Sequence, residues 1–149
     1  MVSEREHYAR LTGDYGETTV FEILRGMGLS PKWGGMADLE IRDTSVEVKT
    51  SHLTRYRSDG RAGYQFCLRR DGHCKLRADV LVLVCITKNG NDFFIIPAAK
   101  VGNKRKIAIP REDPRSYRGQ WSRYLDRWDI VETQREVGQC GNGSKTLAR

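Results

Sequence analysis

Asp38, Glu47 and Lys49 are the residues of this chain whose types and spacing could do chemistry. Glu47 and Lys49 flank Val48 in a stretch, 46–50, that alternates apolar and polar, so both project from one face of a strand. Asp38 closes the run Gly34-Gly35-Met36-Ala37-Asp38 and leads a second alternating stretch, 37–42. Asp43-Thr44-Ser45 separates the two, which predicts a hairpin. With a tight turn at Asp43-Thr44, Asp38 lies opposite Lys49 and Glu40 opposite Glu47, all four on one face. Leu39, Ile41, Val46 and Val48 then make the opposite, apolar face. A slip of one residue would move each of these side chains to the wrong side.

Two carboxylates and a lysine are the minimum equipment for metal-dependent hydrolysis of a phosphodiester. Carboxylates bind Mg²⁺, which keeps several waters, and one of those waters can become the nucleophile. A lysine beside the metal can position or deprotonate that water, or stabilise charge on the phosphoryl oxygens. The competing reading is a solvent-exposed hairpin of mixed charge. Glu17 offers a third carboxylate. It precedes Val20, Phe21 and Leu24 at helical spacing, on the buried stripe of a helix predicted over 13–28 that Gly28 stops, with 1–12 a polar lead-in that can itself be helical. An acid on a buried stripe requires a partner or a metal. The local alternative is a capping box, Asp14-Tyr15-Gly16-Glu17, with Glu17 folded back on the helix start.

The order of these parts (a helix with Glu17, a loop, an Asp-led strand, the Glu47-Val48-Lys49 strand, further strands) resembles the PD-(D/E)XK nuclease superfamily. That group includes restriction endonucleases, Holliday-junction resolvases and some intron-encoded homing endonucleases. The resemblance covers roughly residues 13–96 and rests on arrangement more than on identity. It implies an α/β fold, a restriction endonuclease-like sandwich with a mixed central β-sheet flanked by helices and a basic C-terminal elaboration. It also implies Asp38 and Glu47 as metal ligands, with the Val48 carbonyl as a third. Lys49 would act on the water or the transition state, and Glu17 would bind a second metal or orient water. Gln65 resembles the glutamine that some members carry on the next strand. The implied cofactor is Mg²⁺, with Mn²⁺ able to substitute. Two departures stand out: Ala37 replaces the motif's proline, and the segment 69–77 is short where the superfamily usually has a helix.

Charge points toward a polyanion. The 149 residues carry 26 basic and 19 acidic groups, a formal net charge of +7. From Lys49 to Arg77 there are eight Lys/Arg against two Asp/Glu, and from Lys100 to Arg127 nine against three. Neutralising phosphates releases condensed counterions, so such strips suit DNA. Arg55, Arg57, Arg61, Arg69, Arg70, Lys75 and Arg77 form the first set of candidate phosphate contacts, and Lys104, Arg105 and Lys106 begin a second that runs on to Arg115, Arg118 and Arg123. Tyr56, Tyr64 and Tyr117 sit among them. The bland reading of the charge is a solvated surface.

Length fits one domain, 1–135, with a core at about 13–96, an elaboration at 97–135 and a disordered tail at 136–149. Strands are expected at Gly63 to Leu68, Ala78 to Ile86, Asp92 to Ile96 and Lys106 to Ile109, the second buried on both faces and joined to the third by a turn at Asn89-Gly90. Pro97 to Val101 suggests a helical turn. Asp113-Pro114 reads as a helix start, followed by Trp121, Tyr124, Leu125 and Trp128 at helical spacing, a stripe more often core than stacking platform. The polar N-terminus has no apolar signal, and none of the four cysteines forms a C-x-x-C pair, so a reducing, cytoplasmic setting is expected. Zinc at Cys67, His73 and Cys74 is disfavoured by spacing.

The leading expectation is a Mg²⁺-dependent DNA endonuclease, site-specific in the homing or restriction manner. One site per chain predicts a homodimer or higher oligomer for cutting both strands. The first alternative is a Holliday-junction resolvase, favoured by Glu17. The second is a DNA-binding module without catalysis, which gives no reason to face carboxylates toward DNA.

Overall fold

The continuous apolar run after residue 79 forms the strand around which the other elements are arranged. The structure is a computed structural model that describes residues 3–35, 37–55, 59–68 and 76–133. In chain order its elements are α1 (Glu4–Gly26), β1 (Lys32–Trp33), β2 (Leu39–Ile41), β3 (Thr44–His52), β4 (Thr54–Arg55), β5 (Ala62–Cys67), β6 (Val80–Thr87), β7 (Gly90–Pro97), α2 (Ala98–Val101) and β8 (Lys106–Ile109). A five-stranded sheet has the order β1-β2-β3-β6-β7, and a smaller sheet the order β4-β5-β8. β3 and β6 run parallel while the other neighbours are antiparallel, so the central sheet is mixed.

Val80 to Cys85 of β6 are fully buried. A half-exposed strand would alternate; this one is apolar throughout because both its faces are covered. Register tells the faces apart. Glu47 lies beside Leu81, Lys49 beside Leu83 and Ser51 beside Cys85, and residues opposite one another share a face. Leu83 in turn pairs with Phe94, which meets Tyr117 edge-on. On the other face Val84 pairs with Phe93, and Trp128 packs on Phe93. Helix α1 covers that second face with Val20 and Leu24, and Gly16 presses against Thr50 of β3.

α1 begins nine residues earlier than the expected 13. Ser3 accepts a hydrogen bond from the Glu6 N–H, and the Ser3 N–H donates to the Glu6 carboxylate, so the capping box sits at Ser3-Glu6. The box expected at Asp14-Glu17 is therefore wrong: both residues lie mid-helix, where the backbone N–H groups already bond within the helix. Gly28, at φ 83°, follows the helix end as expected.

The hairpin register also differs. Leu39 pairs with Val46, Glu40 with Ser45 and Ile41 with Thr44, so the turn is Arg42-Asp43, with Arg42 at φ 52°. This is two residues from the expected register. A two-residue shift keeps every side chain on its face, because the side-chain period of a strand is two. Leu39, Ile41, Val46 and Val48 are indeed buried. The β6–β7 hairpin likewise closes one residue early, on Lys88-Asn89, with Thr87 paired to Gly90.

The helix expected to start at Asp113 does not form over 113–128, and α-helical structure begins only at Asp129. Two 3-10 turns stand there, Pro114–Ser116, capped by the Asp113 side chain, and Ser122–Tyr124. The reason is geometric. Tyr117 belongs to one face of the sheet and Trp128 to the other, and one straight helix cannot reach both. The chain instead wraps the β7 edge, where Leu125 bridges Phe94 and the Asp126 N–H donates to the Phe93 carbonyl at 2.8 Å. Trp121 and Tyr124 are buried, as the core reading requires. The expected tail at 136–149 lies outside the described residues.

Candidate active site

Three elements converge at the edge of β3 that β2 leaves after Leu39. Extending the hairpin ladder one step sets Asp38 level with Glu47 instead of Lys49. The Asp38 carboxylate accepts the Val48 N–H at 2.8 Å, which fixes it against the strand edge. In an extended strand the N–H and C=O of one residue face the same neighbour. The Val48 carbonyl therefore faces the Asp38 edge too.

Glu47 and Lys49 share a face of β3, and Lys49 Nζ lies 3.3 Å from Glu47 Oε1. Their side chains are only 21% and 26% exposed respectively, which argues against a solvated hairpin. Burial first, then the charge of Asp38, pushes the Glu47 carboxyl up, opposed by Lys49. Glu17 reaches the same edge from α1, on the other side of β3. Its carboxyl is pushed up to about 7, mainly by burial, then by the charge of Asp38 and a hydrogen bond to it. Burial and the neighbouring Asp38 charge therefore favour the protonated form of Glu17 where no cation is present. Glu40, expected on the same face, is exposed and pairs with Ser45.

Such crowding suits a divalent cation. Among the described residues no three His, Cys, Asp or Glu side chains form a group that could hold a metal as they stand. Mg²⁺ does not need one: it is commonly held by one or two carboxylates and keeps its waters. Asp38 and Glu47, with the Val48 carbonyl, offer that hard oxygen set.

Metal-free stability should therefore depend on Glu17. Because its folded value lies above the unfolded one, the protonated group favours the folded chain; that contribution is complete below about pH 4.5 and is lost as pH rises through about 7. Thermal melts without divalent metal should show Tm falling over that window, and Glu17→Gln should flatten the fall. An unchanged profile in Glu17→Gln would remove Glu17 from the cluster.

Two contributors were not read from the sequence. Ser51 continues the Glu47-Lys49 face, and its buried hydroxyl accepts the Gln65 N–H at 3.2 Å, tying β5 to β3. The same parity that found Glu47 would have found it. Gly16 lets α1 approach β3 at Thr50, where a Cβ would collide with the Thr50 hydroxyl. Gln65 is placed beside this strand, half-buried, its side chain free of hydrogen bonds among the described residues.

Of the candidate phosphate contacts, Arg55, Arg61, Arg77, Lys104, Arg105 and Lys106 are exposed. Arg57, Arg69, Arg70 and Lys75 lie outside the described residues, as do Tyr56, His73 and Cys74. Arg115 is occupied by Asp92 and Asp126, and Arg118 by backbone carbonyls. Tyr64 and Tyr117 are buried and belong to the core, not to a nucleic-acid surface. A cleft of about 960 Å³ opens at the C-terminal end of β3, lined by His52, Asn91 and Arg115 among others. It includes none of the residues at the Asp38 edge. Among the described residues no helix is long and apolar enough to cross a membrane.

The fold is shared with a solved structure, the bacterial homing endonuclease I-Ssp6803I, at a TM-score of 0.63 and 17% identity. The match covers 90% of this chain and 98% of that one. No family model matches the sequence, and no curated protein matches it.

Proposed function

We propose that this chain is a divalent-metal-dependent DNA endonuclease of the PD-(D/E)XK type, site-specific in the homing or restriction manner. The observation that carries the reading is the pinning of Asp38 to the Val48 N–H, with Glu17, Glu47 and Lys49 gathered around it. A fold shared with a homing endonuclease supports it. Trp121 and Tyr124 are buried, so the aromatic C-terminal segment offers no stacking platform for DNA.

Asp38, Glu47 and the Val48 carbonyl would hold Mg²⁺, or Mn²⁺ in its place. The metal would supply a water of lowered pKa and charge stabilisation at the phosphoryl oxygens. Glu47 orients Lys49, whose ammonium meets the phosphoryl oxygens or positions the attacking water. With a metal bound, Glu17 would be the carboxylate that holds water or a second cation. Water oxygen bonds to phosphorus, the bond to the 3′ oxygen breaks, and that oxygen takes a proton, leaving 5′-phosphate and 3′-hydroxyl ends. One site per chain makes a homodimer the unit for cutting both strands.

The test is cleavage of supercoiled plasmid and of a synthetic four-way junction, with Mg²⁺, with EDTA, and with Lys49→Ala. Metal-dependent cutting that falls at least about 100-fold in Lys49→Ala is expected. Cutting equal in the variant and the parent would remove Lys49 from the site. Preference for the junction would favour the second reading, a resolvase, which Glu17 beside Asp38 supports.

A further inference from the structure

The small sheet has an outer face on which Gln65 is the one residue already weighed for the catalytic cluster. Tyr64, Phe66, Ile107 and Ile109 turn inward and are buried. By parity Gly63, Gln65 and Cys67 of β5, with Lys106 and Ala108 of β8, turn the other way. Cys67, Lys106 and Ala108 are exposed. Gln65 pairs with Ala108 and Cys67 with Lys106, and the Leu68 N–H to the Arg105 carbonyl prolongs the ladder. The result is a two-stranded ribbon with Gln65 and Ala108 at its middle and, among the described residues, no carboxylate on its outer face.

Cations stand at both ends. Arg55 and Arg61 flank the Ala62 end, where Asp59 is already paired with Arg61. Lys104, Arg105 and Lys106, all exposed, occupy the other. A neutral, low-profile strip between two positive ends matches a DNA groove between two phosphate rails. The major groove, about 12 Å wide, admits a two-stranded ribbon, and the side-chain types fit its edges: lysine bonds guanine, and alanine meets the thymine methyl.

We propose that the β5–β8 ribbon lies in the major groove beside the cut and reads base identity through Lys106 and Ala108, with Cys67 against the base edges. This rests on the DNA endonuclease reading, and it assigns to the ribbon the specificity that the buried C-terminal aromatics cannot supply. Position supports it. Gln65 touches Ser51, two residues, or about 7 Å, beyond Lys49. Cys67 and Lys106 lie two residues further along, so the bases read fall within about six base pairs of the cut at roughly 3.4 Å each.

The test is selection of bound duplexes from a randomised library in EDTA, which reads binding without cleavage. The parent should enrich a motif. Lys106→Ala should lose about tenfold of discrimination at one position per half-site, the remaining positions being kept. Lys104→Ala should weaken all sequences alike and lower the salt slope by about one. A motif unchanged by Lys106→Ala, or lost evenly at all positions, would overturn the ribbon assignment and leave the nuclease standing. A parent that enriches no duplex would overturn both. Alkylation gives a second readout that needs no variant: the exposed Cys67 thiol, mapped by peptide mass, should be protected at least about tenfold by the selected duplex. Equal labelling of Cys67 with and without that duplex would sink the proposal.

Discussion

Asp38→Ala is expected to cut DNA at least about 1,000-fold more slowly with Mg²⁺ while binding it within about tenfold of the parent. The asymmetry follows from what the carboxylate touches. It meets the Val48 N–H and lies within hydrogen-bonding reach of Glu17, and it would repel, not attract, a phosphate. Alanine also leaves a partly buried N–H without its acceptor, at a cost of about 1–2 kcal/mol. Asp38→Asn separates the two effects, because its amide oxygen can still accept the Val48 N–H while the charge is gone. Full folding stability with the same loss of cleavage in Asp38→Asn would assign the defect to metal binding. Wild-type cleavage in either variant would sink the site. Single-turnover rates and binding curves at one fixed salt concentration make the comparison fair.

The second large effect concerns the approach of helix and strand. Gly16→Val should destabilise the chain by about 2–3 kcal/mol, read as a shift in the urea midpoint at unchanged slope. Glycine normally weakens a helix interior by up to about 1 kcal/mol, so an innocent substitution here would stabilise. The sign reverses because any Cβ at Gly16 collides with the Thr50 hydroxyl, which is buried and has no hydrogen-bond partner among the described residues. Relief of the clash by moving α1 outward carries the neighbouring Glu17 away from Asp38, so activity should fall with stability. Thr50→Ala should recover part of the stability lost in Gly16→Ala, since it removes the hydroxyl while the Thr50 Cβ stays close. Additive losses would show that the contact is not what limits the approach.

The two effects locate the site at a junction rather than on a surface. Asp38 sits just before the start of β2, Glu47 and Lys49 on one face of β3, and Glu17 on a helix covering the other face. No single element presents them. Each is held by an interaction that serves the fold as well: the Asp38 bond to the Val48 N–H, the Gly16 contact with Thr50, and the Ser51 bond to Gln65.

Periodicity alone determined which side chains of this protein share a face. Alternation over 46–50 placed Glu47 with Lys49, and the unbroken apolar run of β6 announced a strand covered twice. Both readings depend on the short-range geometry of the strand, which the local sequence carries. The tertiary structure decided the rest. Register was missed by two residues, because turn preferences did not distinguish Arg42-Asp43 from Asp43-Thr44. The helix start was missed because Glu17 offered a plausible local cap, although Ser3 and Glu6 made the real one. Trp121, Tyr124 and Trp128 had the spacing of a helix, yet the chain had to turn around the β7 edge to reach both faces of the sheet. Glu17 was legible as a buried acid, but its partner, about twenty residues away in sequence, was fixed only when α1 packed on β3 and brought it to Asp38. Local geometry follows from neighbours in the chain; which carboxylates meet depends on packing between elements, and packing is a property of the whole.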